Sequence, residues 1–131
     1  MARREYLKSD ARQRERAYSP AVKVTGGTTV YMAGQTGYQD DRGETYPGDF
    51  DSQVRVAFER MRKTLETAGG KLEDIVTMTV FITDMANGTR FTQLRKEFFQ
   101  EELYPASALI GIKELARPEM LVEIQAIASV D

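Results

Sequence analysis

The sequence contains no cysteine and no histidine. A chain of 131 residues therefore has neither a disulfide nor a Cys/His zinc site to brace it, and must fold on apolar packing alone. Its apolar share, 41%, is enough for a real core, and the length fits one domain spanning 1–131. A domain of this size buries only about two thirds of its unfolded surface, which points to self-association as a further source of stability. The same absence bounds the chemistry. There is no thiolate nucleophile, no imidazole base, and no ligand set for a zinc-type nucleobase deaminase. Proton transfer is left to Asp, Glu, Tyr, Lys or bound water.

Acidic and basic residues are mixed along the chain, with a net charge of −2. That balance argues against a nucleic-acid partner held by bulk phosphate attraction. No apolar run approaches the length of a membrane span, so no membrane partner is expected. The basic N-terminal stretch carries Arg3, Arg4, Lys8, Arg12, Arg14 and Arg16 but lacks the apolar centre of a secretory signal. Glu5, Asp10 and Glu15 within it speak against an organelle transit peptide. The expected address is the cytoplasm.

There is no internal repeat. Val30 to Ala33 reads as a strand, and Tyr38 to Gly48, rich in Asp and Gly, as a loop. Asp49 or Asp51 can cap a helix in which Phe50, Val54, Ala57, Phe58, Met61 and Leu65 recur at helical spacing, with Gly69-Gly70 as its stop. Ile75 to Ile82 reads as a strand with Val76, Met78, Val80 and Ile82 on one face and Thr77, Thr79 and Phe81 on the other. A second helix is predicted from Gly88 to Leu103, with Phe91, Leu94 and Phe98 as its stripe and Pro105 beyond its end. Two strands follow, Ala106 to Ile112 and Met120 to Val130. The order predicts an α+β fold, a mixed sheet with two helices packed on one face. The other face carries Leu121, Glu123, Gln125 and Ile127 of the last strand. Half apolar and uncovered, it is expected to pair with copies of itself.

Glu123 stands out, because it interrupts an apolar strand on the face expected to lie between subunits. Desolvation there disfavours its charged form, and such a group can give or take a proton and hold a water. A structural ion pair, or a carboxylate bonded to neighbouring amides, is the alternative. Ser107 shares that face by parity if its strand pairs with the last one, and could hydrogen-bond a ligand. It has no partner that would make it a nucleophile. Gly34-Gln35-Thr36-Gly37 follows a strand and has the look of a ligand-approach loop, since glycines expose backbone amides.

Ala33-Gly34-Gln35, the strand end Val80 to Met85, Tyr104-Pro105-Ala106 and the closing run Val122 to Ala128 together resemble the Rid (YjgF) family of reactive-intermediate deaminases, from about Tyr18 to the C-terminus. The resemblance implies a fold similar to the small trimeric chorismate mutases: a homotrimer with a central barrel, helices outside, and clefts between subunits. It implies hydrolysis of an enamine or imine, such as 2-aminoacrylate, to a keto acid and ammonia, with no cofactor and no metal. Glu123 then matches the water-holding glutamate, and Ala33 and Gly34 the backbone beside the substrate. Thr92 stands where some members carry a polar amide. The match breaks at Ser107. Members that act on small imino acids resemble Pro-Ala-Arg there, the Arg gripping the substrate carboxylate as a bidentate fork. A tyrosine usual in the early loop is replaced by Ala21. The resemblance therefore implies a substrate other than small 2-imino acids, unless Arg14, Arg16 or Arg90 supplies the grip. A non-catalytic ligand-binding or chaperone-like trimer is the competing reading.

Overall fold

The structure is a computed structural model that describes residues 2–131. Its elements are β1 (Arg3–Tyr6), α1 (Ala11–Glu15), β2 (Val22–Thr25), β3 (Thr28–Tyr31), β4 (Gln35–Thr36), α2 (Phe50–Thr67), β5 (Ile75–Ile82), α3 (Gly88–Arg95), β6 (Ala106–Gly111) and β7 (Val122–Val130). The fold is α+β with a mixed sheet. Strands β3, β7, β5 and β6 lie side by side in that order, and β4 continues the β3 edge along β7. β7 is antiparallel to its neighbours, whereas β5 and β6 run parallel. A parallel pair needs a crossover connection, and α3 provides it. Among the described residues no helix is long and apolar enough to cross a membrane.

The long helix forms as its sequence dictates. Asp49 caps it, its carboxylate accepting from the Ser52 amide at 3.0 Å, and Gly69 ends the turn at φ +81°. The six apolar residues at helical spacing are all buried. Gln53 is buried among them. Its amide donates to the carbonyls of Tyr46 and Glu119, each at 2.9 Å, and accepts from the Leu121 amide, also at 2.9 Å. It thus ties the 38–48 loop and the entry to β7 onto α2. Phe58 packs against Phe91, Phe98 and Phe99, joining the two helices over the sheet.

Several expectations are corrected. The second helix stops at Arg95, not Leu103, and turns follow it. Phe99, not Phe98, therefore becomes the fully packed aromatic. On β5 a bulge between Ile75 and Thr77 moves Ile75 onto the buried face and takes Val76 off it. Leu121 lies just before β7 and packs against the core, so it leaves the uncovered face. That face instead shows Tyr31, 79% exposed, with Phe81, Ile127 and Ile110. The N-terminus also carries structure that composition did not suggest. β1 and β2 form a two-stranded sheet of their own, anchored by Arg4, whose guanidinium meets the buried carboxylate of Asp74 at 2.8 Å.

Candidate functional site

Residues paired across neighbouring strands project to the same face of a sheet. Phe81 pairs with Glu123 and with Ile110, whereas Met78 pairs with Ala126 and with Ser107. Glu123 therefore sits on the uncovered face and Ser107 on the helix-covered one. The expectation that they share a face fails because β6 pairs with β5 and not with β7. Within one chain these two residues cannot meet around one ligand.

On the uncovered face Glu123 is part-buried. No ion pair and no hydrogen bond reaches its carboxylate among the described residues. Gly34 lies against it: a Cβ built there would stand 2.9 Å from the Glu123 Cδ and closer still to a carboxylate oxygen. Ala33 and Gly34 fall between β3 and β4. Four steps from Tyr31 to Gln35 there face three steps from Ile127 to Ile124 on β7. The extra residue bulges the backbone outward beside Glu123, and Ala33 and Gly34 are both exposed. The glycine at the other end of this run has a different task. A Cβ on Gly37 would collide with the backbone carbonyl of Gln53, so Gly37 lets the chain pass flush against α2.

On the covered face, at its outer edge, a cleft of about 300 Å³ opens between α1, α3 and β6. Ser107 and the buried Thr92 line it, together with Arg12, Arg16 and Arg95. Arg95 is the group that sequence reasoning missed. It is 1% exposed. Its Nη1 donates to the Ser107 Oγ at 2.6 Å and its Nη2 to the Arg16 carbonyl at 2.9 Å. Its Nε has no partner among the described residues. The Phe91 ring, one turn earlier, lies 5.1 Å from its Cζ. Burial and the nearby Arg16 charge push this guanidinium down to about 10.

Local structure explains how α1 reaches the cleft. Asp10 caps the helix with a reciprocal bond from Gln13. The chain then turns at Ala17, φ +63°, a backbone conformation that costs a non-glycine residue free energy. Ala17 is fully buried, and packing holds it there. The turn leaves the Arg16 carbonyl to accept from Arg95, and Ser19 bridges to Ala106 at the start of β6. Arg90 does not join this group. It points outward and pairs with Asp51 at 2.7 Å, linking α3 to the start of α2. Arg14 bonds the Ser9 carbonyl instead, facing away from the cleft.

A family model described as "Endoribonuclease L-PSP" matches residues 9–130. The chain belongs to this family, the Rid (YjgF) family. A solved Rid-family protein from Yersinia pestis, YyfB, superposes with a TM-score of 0.83 at 25% identity over 98% of each chain. RidA from the Antarctic bacterium Psychrobacter sp. PAMC 21119 is 34% identical, with a TM-score of 0.72, over 86% of this chain and 88% of its own. A protein of Dermatophagoides farinae named 2-iminobutanoate/2-iminopropanoate deaminase is 33% identical over 114 residues, 87% of this chain and 86% of that one. Within a Rid scaffold, then, this chain brings a guanidinium to position 107 from α3 and not from β6.

Proposed function

We propose that this protein hydrolyses an enamine or imine to a carbonyl compound and ammonia, on a substrate other than the small 2-imino acids. The observation that carries the reading is the Glu123 carboxylate, unpaired beside Gly34 on a face that needs a partner. A carboxylate so placed can orient a water towards a C=N carbon. It takes a proton as the C–O bond forms and returns it to the departing nitrogen. This chemistry needs no metal or cofactor. The name of the Dermatophagoides farinae relative supports the reaction type, and a carboxylate site rebuilt at Ser107, with its guanidinium supplied by Arg95 from α3 and Arg12 and Arg16 beside it, supports a changed substrate.

The reading places the site between copies of a homotrimer, in the cytoplasm. Tyr31, Phe81 and Ile127 form an apolar surface that a second copy would cover. Glu123 and Ser107, on opposite faces, can join one site only when they come from different copies. Desolvation of Glu123 would then come from assembly. Sedimentation at micromolar concentration should return about three chain masses. A stable monomer would sink the shared site.

The reaction is tested by an ammonia-release screen across enamines and imines, followed by Glu123→Gln on the best substrate. The variant should keep its fold and assembly and lose about 10²–10⁴-fold in turnover, the usual worth of a general acid–base group. Full activity in the variant would remove Glu123 from the mechanism.

A further inference from the structure

The cleft beside Ser107 is built around a cation that has no anionic partner among the described residues. Arg95 is sunk to 1% exposure, its two partners, a hydroxyl and a carbonyl, are neutral, and its Nε is unpartnered. Burying a charge without a counter-ion is costly, and a structural arginine normally meets a carboxylate in such a place. Here no residue lining the cleft is acidic. Arg12 and Arg16, four residues apart across α1, line the same opening. Among the described residues, neither makes an ion pair with a carboxylate. Three arginines thus line one space, with no acidic residue of the described chain among its walls.

We infer that this cleft binds the acidic groups of the substrate, one carboxylate on Arg95 and Ser107 and a second on Arg12 and Arg16, so that the substrate class is a dicarboxylic imino or enamino acid. The inference rests on the deaminase reading for the imine and on the cleft for the two carboxylates. The reaction balances simply. Water adds its oxygen to the imine carbon, the C–N bond breaks, nitrogen leaves as ammonia carrying the protons, and the carbonyl product keeps both carboxylates. The product therefore fits the same cleft, and the anion site can be tested without turnover.

The experiment is calorimetric titration of the intact protein, at low salt, with 2-oxoglutarate, the monoacid 2-oxobutanoate and inorganic phosphate. 2-Oxoglutarate should bind at least about 10-fold more tightly than 2-oxobutanoate, since it engages a second charged pair. Arg95→Met should abolish binding of both acids, and Arg95→Lys should weaken it by about 10-fold, a point charge replacing a fork. Should Arg95→Met fail to fold, the surface pair Arg12→Gln/Arg16→Gln decides the matter. It should bring 2-oxoglutarate down to about the affinity of the monoacid, with a larger loss for the diacid than for the monoacid. Equal affinity of the wild type for the two acids, or no loss in the double variant, overturns the inference, as does a preference for phosphate. The two readings fail separately. Dicarboxylate binding without ammonia release from any imine sinks the deaminase and leaves the anion site. Release from monocarboxylic imines without dicarboxylate preference does the reverse.

Discussion

Glu123 and Arg95 each carry a charge without a counter-ion among the described residues, and the fold holds them differently. Glu123 stands on the uncovered face, part-buried, where water can still solvate it. Arg95 is already sealed beneath α1 and against Phe91, with only neutral oxygens to accept its protons. For the carboxylate, desolvation would come from a second copy in the proposed assembly. For the guanidinium it is complete within one chain. A change at the carboxylate should therefore register in rate and leave stability alone, whereas a change around the guanidinium should register in stability even before a ligand is added.

That contrast can be broken from either side. Beyond Glu123→Gln, the largest effect is expected for Gly34→Ala. The new methyl would displace the Glu123 carboxylate, and a misplacement of about 1 Å in a catalytic group can cost about 10²-fold in kcat/KM. The unfolding midpoint should not move, because Gly34 is exposed and φ there needs no glycine. A fall in stability with unchanged rate would invert the assignment of this corner.

Next comes Ser107→Arg, which sets a second guanidinium beside Arg95 in place of its hydrogen-bond acceptor. Chemical denaturation should show a loss of about 1–3 kcal/mol, the cost of a buried donor left without its acceptor, and the loss should shrink in an Arg95→Met background. A stabilised single variant would mean that the cleft has room and counter-charge not accounted for above. The smallest effect is expected for Arg90→Gln. Its pair with Asp51 is exposed, and such pairs contribute little. Both kcat/KM and the unfolding midpoint should stay at the wild-type values, and a loss of substrate affinity would return Arg90 to the site.

The legibility of these residues in the sequence follows the range of the interactions that place them. Glu123 was readable because parity along β7 is local, and a carboxylate amid alternating apolar residues marks itself. The α2 core was readable for the same reason, six apolar residues on one repeat. Gln53 was not, because its burial depends on carbonyls of Tyr46 and Glu119, one of them 66 positions away. Ser107 shares the face of Glu123 only if its strand pairs with β7, and local parity does not tell which strand β6 pairs with. The helix between β5 and β6 was itself a sign that the two pair in parallel, since such pairs need a crossover. Arg95 left a fainter sign. It stands four residues after Phe91, on the apolar stripe that the spacing predicts for the second helix, where a charged side chain is out of pattern.

The separation of Glu123 from Ser107 by the thickness of the sheet has a genetic consequence. Each copy would hold every residue of the site and yet no whole site. In the proposed shared site, a chain lacking Glu123 and a chain lacking Arg95 would damage opposite halves of each cleft. Co-assembled in equal amounts, two such inactive chains would form trimers in which about one cleft in four joins two undamaged halves. The two lesions should therefore complement in trans, recovering about a quarter of the wild-type activity by that count, while the same two lesions placed in one chain recover none.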